Sequence, residues 1–182
     1  MLEKKYEIVK NSNGRGLEWE EKKVVHPPNL FERNMIKMWV HVLWTTNRQY
    51  PVIYPELRKK LFPYMIEYCA LNEIKIDCLN GYAEHVHILF PYQFDMDLEK
   101  NVLCIQKASE LWINKHGLIK EEDDEKFCWN HNFITVTVGQ SSVDALRTNI
   151  KAQEVIHKRK TFKEEFEEIG VRYGFGGRIN YY

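Results

Sequence analysis

Segments in which every second residue is apolar alternate, along this chain, with segments whose apolar residues recur at every third or fourth position. The order of the two constrains the fold more than any other feature. "MWVHVLWTT" (38–46), "IKIDCL" (74–79), "EHVHILF" (84–90) and "NFITVTVG" (132–139) follow the two-residue period of strands and are rich in β-formers. "YPELRKKLFPYMIEYCALNE" (54–73) has near-helical spacing, with Pro55 suited to a first turn and Pro63 predicting a kink or break. "MDLEKNVLCIQKASELWINKHG" (96–117) reads as an amphipathic helix ended by Gly117. "SSVDALRTNIKAQEVIHKRK" (141–160) reads as a third helix, with Ser141 as cap and Asp144 at the capping-box position. Asn80-Gly81 signals a tight turn between the second and third strands. The order is β-α-β-β-α-β-α. Its first six elements make an α+β, ferredoxin-like antiparallel sheet with helices on one face, followed by a C-terminal helix.

That domain is expected over residues 38–166. Residues 1–37 are polar, contain "NSNGRG" and "HPPN", and read as an N-terminal extension with room for a short hairpin. Residues 167–182, with three glycines in "RYGFGGRINYY", read as a flexible, extended C-terminal tail. The chain's 182 residues suffice for one domain with a substantial core. No apolar run approaches the ~20 residues that span a bilayer, and the N-terminus lacks the apolar centre of a signal peptide. Cys69, Cys78, Cys104 and Cys128 form no CxxC pair, which fits reduced cysteines in a cytoplasmic protein without a membrane partner. With 26 basic and 26 acidic residues the net charge is zero, so any argument for nucleic acid must be local. "EEDDE" (121–125) reads as a solvated acidic loop.

"EHVHILF" contains the chemistry-bearing feature. Alternation gives Val86, Ile88 and Phe90 to the face that meets the helices, and puts His85 and His87 on the opposite face, expected to be open. Residues i and i+2 of a strand lie roughly 7 Å apart, so two imidazoles can converge on one divalent ion. Taken alone, the pair is as readily two surface histidines as two ligands. Two ligands are too few for a tight site, and the last helix offers a third. Asn149, Gln153 and His157 recur at four-residue spacing and so share a stripe. Either the Gln153 amide oxygen or the His157 ring would complete the set, with Leu146 and Ile150 packing the helix down. The same segment is basic, with Arg147, Lys151, Lys158, Arg159, Lys160 and Lys163 against Glu154 and Glu164. It reads either as a phosphate-binding edge or as a solvated charged face.

The His-hydrophobe-His strand, the first strand "VHVLWTTNRQYPVI" and the block "FITVTVGQSSVDALRTNIKAQEVIHKRKTFKEEF" together resemble the single-tyrosine HUH transposases of bacterial insertion sequences and their REP-associated relatives. The resemblance runs from about Met38 to Phe166. It implies a magnesium or manganese ion held by His85, His87 and Gln153, single-stranded or hairpin DNA as partner, and a homodimer. With DNA as partner, the basic edge is expected to make the contacts, at Arg147, Lys151, Lys158, Arg159 and Lys160. In the family a tyrosine four residues before the glutamine attacks the phosphodiester and stays linked to the 5′ phosphate. That position here is Asn149, whose amide cannot be the nucleophile, so the resemblance implies a DNA-binding protein impaired in strand cleavage. Two alternatives remain: cleavage by another tyrosine (Tyr173, Tyr181 or Tyr182) or by metal-bound water, and a non-catalytic structural or interaction protein.

Overall fold

The structure is a computed structural model, and it describes residues 5–10, 17–22, 37–119 and 126–175. The chain divides into two compact units, residues 1–35 and 36–182. In the first, β1 (Lys5–Lys10) pairs antiparallel with β2 (Leu17–Lys22), a hairpin where the sequence left room for one.

The second unit is built on β3 (Met38–Thr46), β4 (Cys78–Gly81), β5 (His85–Tyr92) and β6 (Trp129–Val138). They form one antiparallel sheet in the order β4-β5-β3-β6. The third strand of this unit is inserted between the first and second, as the ferredoxin-like pattern requires. On one face lie α1 (Pro55–Leu71) and α2 (Leu98–Lys115). Val40, Val42 and Trp44 of β3 and Val86, Ile88 and Phe90 of β5 pack there with Leu57, Leu61 and Met65 of α1 and Val102, Ile105 and Ile113 of α2. Each Leu, Ile or Phe so buried contributes on the order of 1.5–3 kcal/mol. α1 continues through Pro63 without the break that was one of the two outcomes expected there. Pro63 is exposed, so the carbonyl that loses its helical partner can meet water instead. The Asp97 side chain caps α2 by accepting from the Lys100 amide, and Gly117 follows the helix at φ 57°.

Two local expectations shift. The second strand is shorter and later than "IKIDCL", and Asn80 and Gly81 lie inside β4 rather than in the turn. The reversal falls at 82–84, closed by the Tyr82 amide donating to the His85 carbonyl at 3.0 Å. A Cβ on Gly81 would sit 2.0 Å from that carbonyl oxygen, so only glycine lets β4 come this close to the start of β5.

The larger correction concerns the sheet's other face. His85 and His87 do share it, but it is covered: His85 is 0% exposed and His87 2%. The cover is α3 (Val143–Lys151), α4 (Gln153–Ile156) and α5 (Phe162–Tyr173). Leu89 of β5, Cys78 of β4 and Val138 of β6 pack with Val143 and Ile150 of α3 in a second apolar cluster. The expected continuous helix over 141–160 is broken at Ala152, and Ser142 precedes α3 without a side-chain cap. The capping box belongs instead to Thr161 and Glu164 at the start of α5. That helix runs past residue 166 to Tyr173 and ends at Gly174, φ 73°, so the expected tail is helical over 167–173. The acidic stretch 121–125, Tyr181 and Tyr182 lie outside the described residues.

Candidate metal centre

Register builds the site's floor. β3 pairs with β5 so that His87 opposes Leu43 and Leu89 opposes His41. His41 is therefore the diagonal neighbour of His87 on the buried face, within reach of a long side chain. The rings stack at 5.1 Å and 13°, and His41 Nε2 lies 2.9 Å from His87 Nδ1. His85 is clamped by Phe162 of α5, stacked at 4.5 Å.

The roof comes from the three C-terminal helices. Arg58 of α1, itself buried, donates to the Ile53 carbonyl and to Glu154, fixing the start of α4 where Gln153 stands. Arg58 also lies over the Tyr82 ring, and Tyr82 stacks on His157 at 4.7 Å. Gln153 Oε1 is 2.8 Å from His85 Nε2 and 3.0 Å from His157 Nε2. Glu165 accepts from the Gln153 amide at 3.1 Å, and its other oxygen is 3.1 Å from His157 Nε2 and 3.6 Å from both His85 Nε2 and His87 Nε2.

The arrangement of donors and acceptors suits exchange of protons for a cation. His85 Nδ1 can donate to Glu84 at 3.0 Å, and His157 Nδ1 to the Lys160 carbonyl at 2.9 Å. Protonated, the Nε2 atoms of His85 and His157 donate to the acceptor oxygens of Gln153 and Glu165. Deprotonated, they turn lone pairs toward the same point, where a divalent ion can take the protons' place. His87 Nε2 faces the same point: at 3.6 Å from Glu165 it is too far for a hydrogen bond, and the atom is buried without a partner. Outer groups that hold one imidazole nitrogen while the other faces a common point are the usual surroundings of metal-bound histidines. His85, His157 and Glu165 alone present ligand atoms within 4.8 Å of one another, so the donor set fits one divalent ion.

Electrostatics favour a proton at His157 Nε2, shared with the Glu165 carboxylate. Glu165 is buried, which would raise its pKa, but the hydrogen bond from His157 and the neighbouring His87 and His85 hold it below the usual carboxylate range. For His157 burial works downward, yet Glu165 outweighs it and the pKa is raised. Burial lowers His87, and desolvation followed by the charge of His87 pushes His41 down to about 3.

A cleft of about 110 Å³ opens onto this centre, and its walls include His87, Asn149, Gln153, Glu165, Arg172 and Tyr173. The structure thus brings together His85, His87 and Gln153, and places Asn149 on the cleft wall. The expected DNA-contact residues divide. Arg147 is bound bidentately to Asp77 at 2.7 and 2.9 Å and also to Asp144. Lys160 pairs with Glu168. Lys151, Lys158 and Arg159 are exposed. Sequence reasoning missed His41, Glu165 and Arg172. His41 was legible as an apolar-flanked histidine in β3, whereas Glu165 depends on the turn at 157–161, which no periodicity specifies.

Among families of known proteins, the one described as Transposase IS200 like matches residues 34–153. The match ends at Gln153, so His157 and Glu165 lie beyond it. The fold resembles a crystal structure from Deinococcus radiodurans R1 described as a transposase, with TM-score 0.53 and 18% identity, covering 66% of this chain and 93% of that one. A REP-associated tyrosine transposase bound to a REP hairpin gives TM-score 0.48 and 17% identity over 70% of this chain and 73% of that one. No curated protein matches.

Proposed function

The chain belongs to the IS200-like transposase family, and from that premise we propose a DNA-transposition protein that binds single-stranded or hairpin DNA at a divalent-cation centre and is impaired in strand cleavage. The observation that carries this reading is the convergence of three imidazole Nε2 atoms on Glu165 and Gln153 at the floor of an open cleft whose wall carries Asn149. His85, His87 and Gln153 are the ligands expected of the site, and His157 and Glu165 add an imidazole and a carboxylate. When bound, a magnesium or manganese ion would supply Lewis-acid stabilisation of a phosphate oxygen.

The chain's own residues do the rest. Glu84 and the Lys160 carbonyl hold two rings in the ligating tautomer. The Asn149 amide can donate to a phosphate oxygen and orient it, but it has no group that can attack phosphorus. Arg172 at the rim, with exposed Lys158 and Arg159 in the turn between α4 and α5, offers the cations for backbone phosphates. The resemblance adds a homodimer, read by light scattering. Electrophoresis under denaturing conditions after incubation with hairpin DNA and manganese tests the reading. Retarded DNA in native gels with no covalent adduct in denaturing gels is expected; no DNA binding at low salt would contradict it.

One observation favours a second reading. Tyr173 lines the same cleft as Asn149 and lies two helical turns after Glu165 on α5. A phenol there could bond to phosphorus while the 3′ oxygen leaves and takes a proton. An adduct that disappears in Tyr173→Phe would establish it.

A further inference from the structure

Three histidines face the centre, and each is held from behind. For His85 and His157 the outer partner is a pure acceptor, the Glu84 carboxylate and the Lys160 carbonyl. His87 is different, because its outer partner is another imidazole, which can donate or accept. Were His41 Nε2 to donate to His87 Nδ1, the proton of neutral His87 would sit on Nε2 and the ring could not bind a cation. With the bond reversed, His87 Nδ1–H donates to His41 Nε2 and a lone pair is left at His87 Nε2. That atom is buried, has no hydrogen-bond partner, and faces the Glu165 carboxylate at 3.6 Å. A lone pair opposed to a carboxylate oxygen is repulsive until a cation stands between them.

We propose that His41 is a positioning residue of the metal centre, accepting the Nδ1 proton of His87 so that His87 Nε2 is presented to the ion. The placement is built into the sheet. His41 is 4% exposed, lies diagonal to His87 across the β3–β5 pair, and stacks on it nearly parallel, so neither ring can turn freely. The role rests on the metal-binding reading of the site and extends it to a residue of β3.

Two substitutions separate hydrogen bonding from packing. His41→Phe keeps a stacked ring but removes the acceptor. His41→Gln restores an acceptor oxygen near the place of Nε2. Manganese titrations of full-length protein, with thermal melting as a check on folding, are expected to show His41→Phe binding about 10- to 100-fold more weakly. His41→Gln should stay close to wild type. In the zinc-loaded wild type, nitrogen NMR should show His87 protonated at Nδ1. Folded His41→Phe that binds manganese as well as wild type, His41→Gln as impaired as His41→Phe, or a proton on His87 Nε2 in the loaded protein would each overturn the role of His41 while leaving the centre itself standing. A wild type that takes up no divalent ion would overturn both.

Discussion

His85 Nε2 lies 2.8 Å from the Oε1 of Gln153, across 68 residues of chain. This one contact joins the strand that carries the paired histidines to the segment after the break at Ala152. It is made in the interior, with Gln153 only 1% exposed. The centre is consequently not a decoration on a free sheet surface. It is the polar heart of a second interface, between the sheet and α3–α5, and metal binding and the packing of these helices should be coupled.

Gly81 is where this coupling is most open to test. Because a Cβ there would meet the His85 carbonyl at 2.0 Å, Gly81→Ala must push β4 away from β5. A loss of about 1–3 kcal/mol in chemical denaturation is expected from forced overpacking. Manganese affinity should fall with it, because the residue displaced is His85. Stability lost with affinity intact would show that β5 moves as a rigid body.

Acid should weaken the fold through His41. Its pKa in the folded chain is about 3 against 6.5 for a free ring, so the unfolded chain binds the extra proton between these values. Stability from this group is present in full above pH 6.5 and is lost as pH falls toward 3, at up to about 1.4 kcal/mol per pH unit. Glu165, whose folded pKa is depressed, acts in the same direction at lower pH, losing its contribution as acid protonates it. His157 opposes both: its raised pKa adds stability that is complete below 6.5 and fades above it. Melting temperatures from pH 7 to 4 should fall, and fall less steeply in His41→Gln. An equal slope in the two proteins would refute the assignment.

DNA contacts should follow free cations rather than the basic composition of the segment. Arg147 is committed to Asp77 and Asp144, whose carboxylates raise its pKa, so its removal should leave the salt dependence of hairpin binding unchanged. Lys158→Ala and Arg159→Ala should each reduce the slope of log affinity against log salt by about 0.7, the value for one single-strand phosphate contact. Fluorescence anisotropy across a salt series reads all three variants. The opposite ranking would place the DNA on the Asp77 side of the sheet.

Under the proposed function, Asn149 has an orienting role and this position holds no nucleophile. No covalent DNA adduct is expected with manganese, and Asn149→Tyr is expected to create one, because residue 149 lines the cleft that opens on the ligands. Mass spectrometry of digested protein after incubation with hairpin DNA decides between this and an adduct at Tyr173.

Much of this was legible from spacing. The strands β3, β5 and β6, the helices α1 and α2, and the common face of His85 and His87 all follow from periods of two and of three to four. What alternation cannot tell is whether a face is covered. A clue was present, since Leu43 and Leu89 share the histidine face, and a face open to water would alternate apolar with polar residues more cleanly. The cover itself depends on two non-periodic features: the interruption at Ala152, and the turn at 157–161 that swings Thr161 into a capping box and brings Glu165 back over the strands. Glu165 was visible in "FKEEF" as one carboxylate among several. Only the reversal brings it to the histidines.

The central claim is that one divalent ion is held between β5 and the C-terminal helices. Anomalous diffraction at the manganese edge, from crystals of the wild type grown with manganese, tests it most directly. The account predicts a single strong peak within bonding distance of His85 Nε2, His87 Nε2 and a Glu165 oxygen, and no peak there in the His85→Ala, His87→Ala variant. A wild-type map without density at that point, while manganese is found elsewhere on the chain, would contradict it.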